Sequence, residues 1–174
     1  MKRIAAVVLT VLSSGLVSVG PAAAAPYCGQ RWGSTPEVVT TGSRAEVVGV
    51  RAGRHACFDR LVVDVDGDLA GYFVEYVEEL RVDGSADPVP VRGGARLRVT
   101  ATAPVVPTDA WFVAGGELVD VGGYRTFRHV AWAGSFEGQT SIGVGVRARL
   151  PFRAFIVGGP GEGSRLVVDV GHRW

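Results

Sequence analysis

Residues 142–150 read Ile-Gly-Val-Gly-Val-Arg-Ala-Arg-Leu, with an apolar side chain at every second position. A period of two places the two sets on opposite faces of an extended backbone. The stretch therefore reads as a half-buried strand, because the apolar face of a helix recurs every three or four residues. Similar patterning marks strands at 46–50, 58–66, 95–101, 127–133, 152–157 and 165–170. Turn-forming clusters separate them: Asp66-Gly67-Asp68, Asp87-Pro88, Gly93-Gly94, Gly115-Gly116, Gly122-Gly123 and the glycine-rich run 158–163. One segment fits two periods. Tyr72, Phe73, Tyr76, Val77 and Leu80 suit a helix face, while Tyr72, Val74, Tyr76, Leu80 and Val82 suit a strand face; aromatic and β-branched content favours the strand. Many short strands, frequent turns and no long helix indicate an antiparallel sandwich or barrel.

An internal repeat sharpens this expectation. Arg60-Leu-Val-Val-Asp-Val65 recurs as Arg165-Leu-Val-Val-Asp-Val170. In each copy the Leu and two of the Val residues (61, 63, 65 and 166, 168, 170) share one face, and Arg, Val and Asp share the other. If the copies pair antiparallel, one register sets Arg60 opposite Asp169, Val62 opposite Val167 and Asp64 opposite Arg165, matching charges across the strands.

The N-terminus carries Lys2-Arg3, then an apolar run relieved by Ser13, Ser14 and Gly15, then Pro21 and four alanines, the layout of a secretory signal peptide over 1–24. The run is shorter than the roughly 20 residues needed to span a bilayer, so no transmembrane segment is expected after cleavage. Export puts the two cysteines in an oxidising compartment, where Cys28 and Cys57 form the one available pair; the alternative is two free buried thiols. A disulfide would tie down an otherwise irregular arm. The 18 basic and 17 acidic residues give a net charge of +1 with both signs interspersed, and losing Lys2 and Arg3 makes it −1. Nucleic-acid binding, which draws on a basic surplus gathered on one face, is not expected.

The segments Cys57-Phe58-Asp59-Arg60-Leu61-Val62-Val63-Asp64-Val65-Asp66-Gly67, Gly71-Tyr72, Tyr76-Val77, Ser135-Phe136-Glu137-Gly138, Pro151-Phe152-Arg153 and Arg165-Leu166-Val167-Val168-Asp169-Val170, taken together, resemble the AMIN-like domain of secreted actinobacterial proteins. That family is similar to the AMIN domain that accompanies cell-wall amidases and secretins. The resemblance implies an all-β antiparallel sandwich of two pseudo-symmetric halves, which the internal repeat fits. It also implies a non-catalytic module for envelope targeting, commonly linked to peptidoglycan. The expected layout is a signal peptide over 1–24, an irregular, disulfide-tied arm over 25–44, and an AMIN-like β-sandwich over 45–174.

Motifs that carry chemistry point the same way. His55, His129 and His172 are scattered, and no H-x-x-x-H, C-x-x-C, nucleophile-elbow or phosphate-loop spacing occurs, so no metal, cofactor or catalytic residue is assigned. Asp64, Asp66, Asp68 and Glu75 have calcium-loop spacing, but Leu69 stands where the loop needs glycine, and an acidic hairpin turn is the better reading. Asp64, Asp66, Glu75, Glu78 and Glu79 could pair as glycosidase carboxylates, but alternation turns most of them to water. Binding candidates come from the aromatic and arginine residues Trp32, Trp111, Phe112, Tyr124, Arg125, Arg128, Trp132 and Trp174. The choice rests on Trp111, Phe112, Tyr124, Arg125, Arg128 and Trp132, in and just after the long segment 104–123. The expected partner is a cell-wall polymer or an envelope protein. A glycan binder should expose an aromatic and arginine platform, a protein-partner or structural domain an apolar patch, and a secreted hydrolase with a dispersed site a concave cluster of perturbed carboxylates or histidines.

Overall fold

The computed structural model describes residues 26–105, 113–159 and 161–174; the expected signal peptide, and Trp111 and Phe112, lie outside the described residues. A short 3-10 turn at Tyr27–Gly29 is followed by β1 (Glu37–Val39), β2 (Arg44–Arg54), β3 (Phe58–Asp68), β4 (Tyr72–Val77) and β5 (Ala95–Ala101). Then come β6 (Phe127–Phe136), β7 (Gln139–Val146), β8 (Phe152–Gly158) and β9 (Ser164–Gly171). They form two antiparallel sheets, one five-stranded in the order β1-β4-β5-β7-β6 and one four-stranded in the order β2-β3-β9-β8.

The alternation read from the sequence builds the core. Leu61, Val63 and Val65 of β3 and Leu166, Val168 and Val170 of β9 join Val74, Leu97, Val99, Ile142 and Val144 of the other sheet in one buried cluster, so the sheets pack face to face as a sandwich. Each such side chain contributes roughly 1.5–3 kcal/mol through burial. Two tyrosines also tie the layers by hydrogen bonds: Tyr72 Oη donates to the Ala154 carbonyl at 3.0 Å and Tyr76 Oη to that of Leu150 at 2.9 Å. With the edge strand β1 set aside, strand order is symmetric in both sheets, with β2-β3 against β9-β8 and β4-β5 against β7-β6, as two related halves require.

The repeat lies on the symmetry line. Its copies are neighbours in the register expected, with Arg60 opposite Asp169, Val62 opposite Val167 and Asp64 opposite Arg165. The β6–β7 hairpin closes on Glu137 and Gly138, both at positive φ (49° and 78°), the conformation of the two-residue turn that matches strand twist.

Four expectations need correction. The strand expected over 142–150 ends at Val146 and is buried on both faces. Its glycine face lies beneath a strap formed by residues 80–92, and Leu80, Val89 and Val91 join Ala131 and Ala133 in a second core. Leu80 and Val82 therefore belong to the strap, whereas β4 ends at Val77. Asp66-Gly67-Asp68 is not a separator, because β3 runs through to Asp68 opposite Arg44, with Gly67 absorbing the bend at φ 88°. The arm is not wholly irregular either: Glu37–Val39 pairs with β4 as an edge strand, too short for periodicity to reveal.

The strap makes the glycines of β7 obligatory. A Cβ at Gly145 would stand 1.8 Å from the Arg92 carbonyl oxygen and 2.8 Å from Val91 Cγ1. Gly145→Ala is expected to destabilise the protein by about 3 kcal/mol, the upper range for overpacking a filled interior. Gly158→Ala, where a Cβ meets nothing within 4 Å, should stay within about 0.5 kcal/mol of the parent. Urea unfolding of the two variants side by side tests the contrast, and equal stabilities would refute it.

Candidate functional site

With the leucine side of the repeat turned inward, its other side forms the outer face of the four-stranded sheet. Phe58, Arg60, Val62 and Asp64 of β3 stand beside Arg165, Val167 and Asp169 of β9, flanked by Arg51 of β2 and by Arg153, Phe155 and Val157 of β8. A groove of about 310 Å³ crosses this face, floored by Val62 and Val167 and edged by Arg51, Arg60, Phe155 and Arg165.

Charge organises the face. Arg60 sends a fork to Asp169, with Nε–Oδ1 at 2.6 Å and Nη2–Oδ2 at 2.8 Å, and Arg153 Nε reaches the same carboxylate at 2.9 Å. Asp169 is fully buried, so two guanidinium groups share one desolvated anion. The hydrogen bonds to Asp169 hold the Arg60 pKa above its ordinary value. Aromatic rings fill the layer above: Arg153 Cζ lies 4.6 Å from the Trp32 centroid and 5.0 Å from that of Phe155, and Arg60 Cζ lies 5.2 Å from that of Phe58. Trp32 meets Phe58 edge-on at 5.6 Å, and His55 stacks on Phe58 at 4.5 Å.

The two copies of the repeat are not used equally. Asp64 faces Arg165 in register, yet both its oxygens accept from Arg51, at 2.7 and 3.0 Å. Arg165 is left without a carboxylate: its Nη2 donates to the Gly158 carbonyl at 3.2 Å, and its buried Nε has no hydrogen-bond partner. The cause lies in the flanking strands. The position beside Asp169 on β8 is Arg153, whereas the one beside Asp64 on β2 is Gly49, and Arg51, next along the same face, reaches Asp64 instead. Along the groove four guanidinium groups thus face two carboxylates, and Asp66 and Glu162 line a neighbouring hollow with Arg165 without forming an ion pair to it among the described residues. A planar guanidinium with unfilled donors is suited to a carboxylate or a phosphate.

Of the binding residues expected from the sequence, Trp111 and Phe112 lie outside the described residues, and the others lie elsewhere. Tyr124 and Arg125 in the turn before β6 come together with Arg128 at its start. There the Tyr124 ring stacks on Phe127 at 6.0 Å, and Arg128 donates to the carbonyls of Tyr124, Arg125 and Phe127. Those donors serve the turn itself. Trp132 is 5% exposed on β6 and offers little ring surface. Of the other tryptophans, Trp174 is exposed and donates to the Arg149 carbonyl, and Trp32 belongs to the platform. Phe58, Arg153, Phe155 and Arg165 went unselected, although the alternation of β3, β8 and β9 already placed them on one side. Three of the carboxylates considered as metal ligands or acids sit in separate ion pairs, Asp64 with Arg51, Glu75 with Arg98 and Glu79 with Arg81. Among the described residues no group of three or more His, Cys, Asp and Glu could hold a metal ion, and no helix is long and apolar enough to cross a membrane.

The molecule is thus an antiparallel sandwich whose four-stranded sheet carries arginines and aromatic rings on its outer face. The chain belongs to the AMIN-like domain family, whose sequence model matches residues 45–172. No curated protein and no solved structure matches the chain. AMIN-like domains are envelope-associated, non-catalytic modules. The disulfide between Cys28 and Cys57 fits an oxidising, extracytoplasmic compartment.

Proposed function

We propose that this protein is an exported envelope module that binds an anionic wall polymer, peptidoglycan foremost, on the outer face of the four-stranded sheet, without turnover. Arg165 carries the reading: it is a guanidinium with no carboxylate partner, lining a groove that Arg51 and Arg60 also edge. A carboxylate or phosphate of the polymer would accept from it, while Phe155, Val62 and Val167 would take the apolar side of a sugar ring.

The test is co-sedimentation of the purified, disulfide-intact protein with insoluble peptidoglycan sacculi at physiological salt. Saturable binding is expected, weakening as salt rises because the contact is partly exposed. Arg165→Gln should weaken binding by about tenfold to a hundredfold, the range for one charged hydrogen bond. Its melting temperature should hold, since no ion pair is lost. Absence of saturable binding would overturn the reading; binding unchanged in Arg165→Gln would remove this face as the site.

A further inference from the structure

On the opposite side of the sandwich, the strap over β7 leaves a cavity of about 840 Å³, within the size range of small-molecule sites. Its walls include Pro88, Val89, Pro90 and Val91 of the strap, with Gly115 and Glu117 beyond, and His129 of β6 is part of its lining. His129 is 4% exposed, and neither ring nitrogen has a hydrogen-bond partner among the described residues; Nδ1 is wholly buried. Burial, and next the Arg92 guanidinium, hold this imidazole below the ordinary histidine range, partly opposed by Glu117, so it is neutral at neutral pH. A sealed N–H without an acceptor carries its full desolvation cost. The proton therefore belongs on Nε2, the nitrogen left to meet a ligand in the cavity.

The charges around the histidine fall into two groups. Arg92 is spent on Glu117 at 3.0 Å and Glu79 on Arg81. Glu78 and Arg96 are not spent. Arg96 lies opposite Val77 in the β4–β5 ladder, one position from Glu78, yet no ion pair joins them. The cavity thus presents an uncommitted anion, an uncommitted cation, a neutral donor and an apolar wall of prolines and valines.

We infer that this cavity is a second binding site, for a short peptide with both termini free: its carboxylate on Arg96, its ammonium on Glu78 and a backbone carbonyl accepting from His129 Nε2–H. The small aliphatic side chains of such a peptide pack on the strap. This site lies on the other sheet from the proposed polymer face and stands independently of it.

Alanyl-alanine tests the inference, followed by NMR chemical shifts of the full, disulfide-intact protein at up to roughly millimolar peptide, where weak complexes with Kd near 1 mM are detected. Saturable shifts in the amides of residues 88–92 and 129 are expected. N-acetylated and C-amidated forms of the same dipeptide should bind at least about tenfold more weakly, as should the parent dipeptide to Arg96→Gln and His129→Leu. Arg96→Gln alters a partly exposed group with no ion pair, so it keeps the test valid should His129→Leu fold poorly. Three outcomes would overturn the site: no saturable shifts, blocked peptides binding as well as the free one, or binding unaffected by Arg96→Gln. Arg165→Gln should leave dipeptide binding intact, which separates this site from the polymer face.

Discussion

Replacing Asp59 by alanine is expected to lower the unfolding free energy by about 3–5 kcal/mol, the cost of breaking a buried polar network by removing its centre. Asp59 is fully buried, where β3 starts, and everything around it points at the carboxylate. One oxygen accepts from the backbone amides of Thr126 and Phe127 at 2.6 and 3.1 Å, and the other meets His172 Nε2 at 3.2 Å. Those amides open β6 and His172 follows β9, so one side chain ties the entry of one sheet to the exit of the other. In the alanine variant two buried N–H groups and a buried imidazole lose their acceptor together, each at a desolvation cost of about 1–3 kcal/mol. For a domain this size the melting temperature should fall by roughly 2–4 °C per kcal/mol. Asp59→Asn retains an acceptor for the two amides and should lose less than half as much. Calorimetry of the pair decides the matter: an alanine variant within about 1 kcal/mol of the parent would show that the network contributes little.

Removing the disulfide is the second large effect. Cys28 and Cys57 are bonded across 29 residues of sequence, and in the chain-entropy account a loop that long constrains the unfolded chain by about 3–4 kcal/mol. A Cys28→Ser/Cys57→Ser variant should lose that amount in urea unfolding while remaining folded. The arm keeps other ties: the Phe152 amide donates to the Gly33 carbonyl at 2.8 Å, and Arg149 donates to Ser34 Oγ and its carbonyl. A functional consequence follows, because Cys57 precedes Phe58 and the arm seats Trp32 against Phe58 and Arg153. Freed at Cys28, Trp32 should sit less firmly on the platform, and sedimentation with sacculi should fall in step with stability. A loss below about 1 kcal/mol would mean that the unfolded chain keeps the arm near β3 without the bond.

Parity along each strand was legible because it is a local property. The alternation at β3 and β9 turns Leu61, Val63 and Val65 inward and Arg60, Val62 and Asp64 outward, and charge matching between the repeat copies points to the register they adopt. The same reasoning failed at β7, where glycine and alternation suggested one wet face. A strap distant in sequence covers that face, and glycines that look like weak strand residues are there because the Arg92 carbonyl lies where a Cβ of Gly145 would be and Leu80 where one of Gly143 would be. The setting of the tryptophans was illegible for a related reason. Residue type marks a ring as able to bind, but whether Trp132 is buried or Trp32 is presented depends on which elements pack over it.

By itself, then, the sequence determined the all-β class, the inward and outward faces of the central strands, the pairing of the repeat and the identity of the family, since each is written in patterns a few residues long. Tertiary structure alone decided that Arg51 captures Asp64 and leaves Arg165 unpaired, and that the strap encloses His129 beside Glu78 and Arg96. Both depend on which side chains from remote strands compete for the same partner, and that competition exists only once the sheets are assembled.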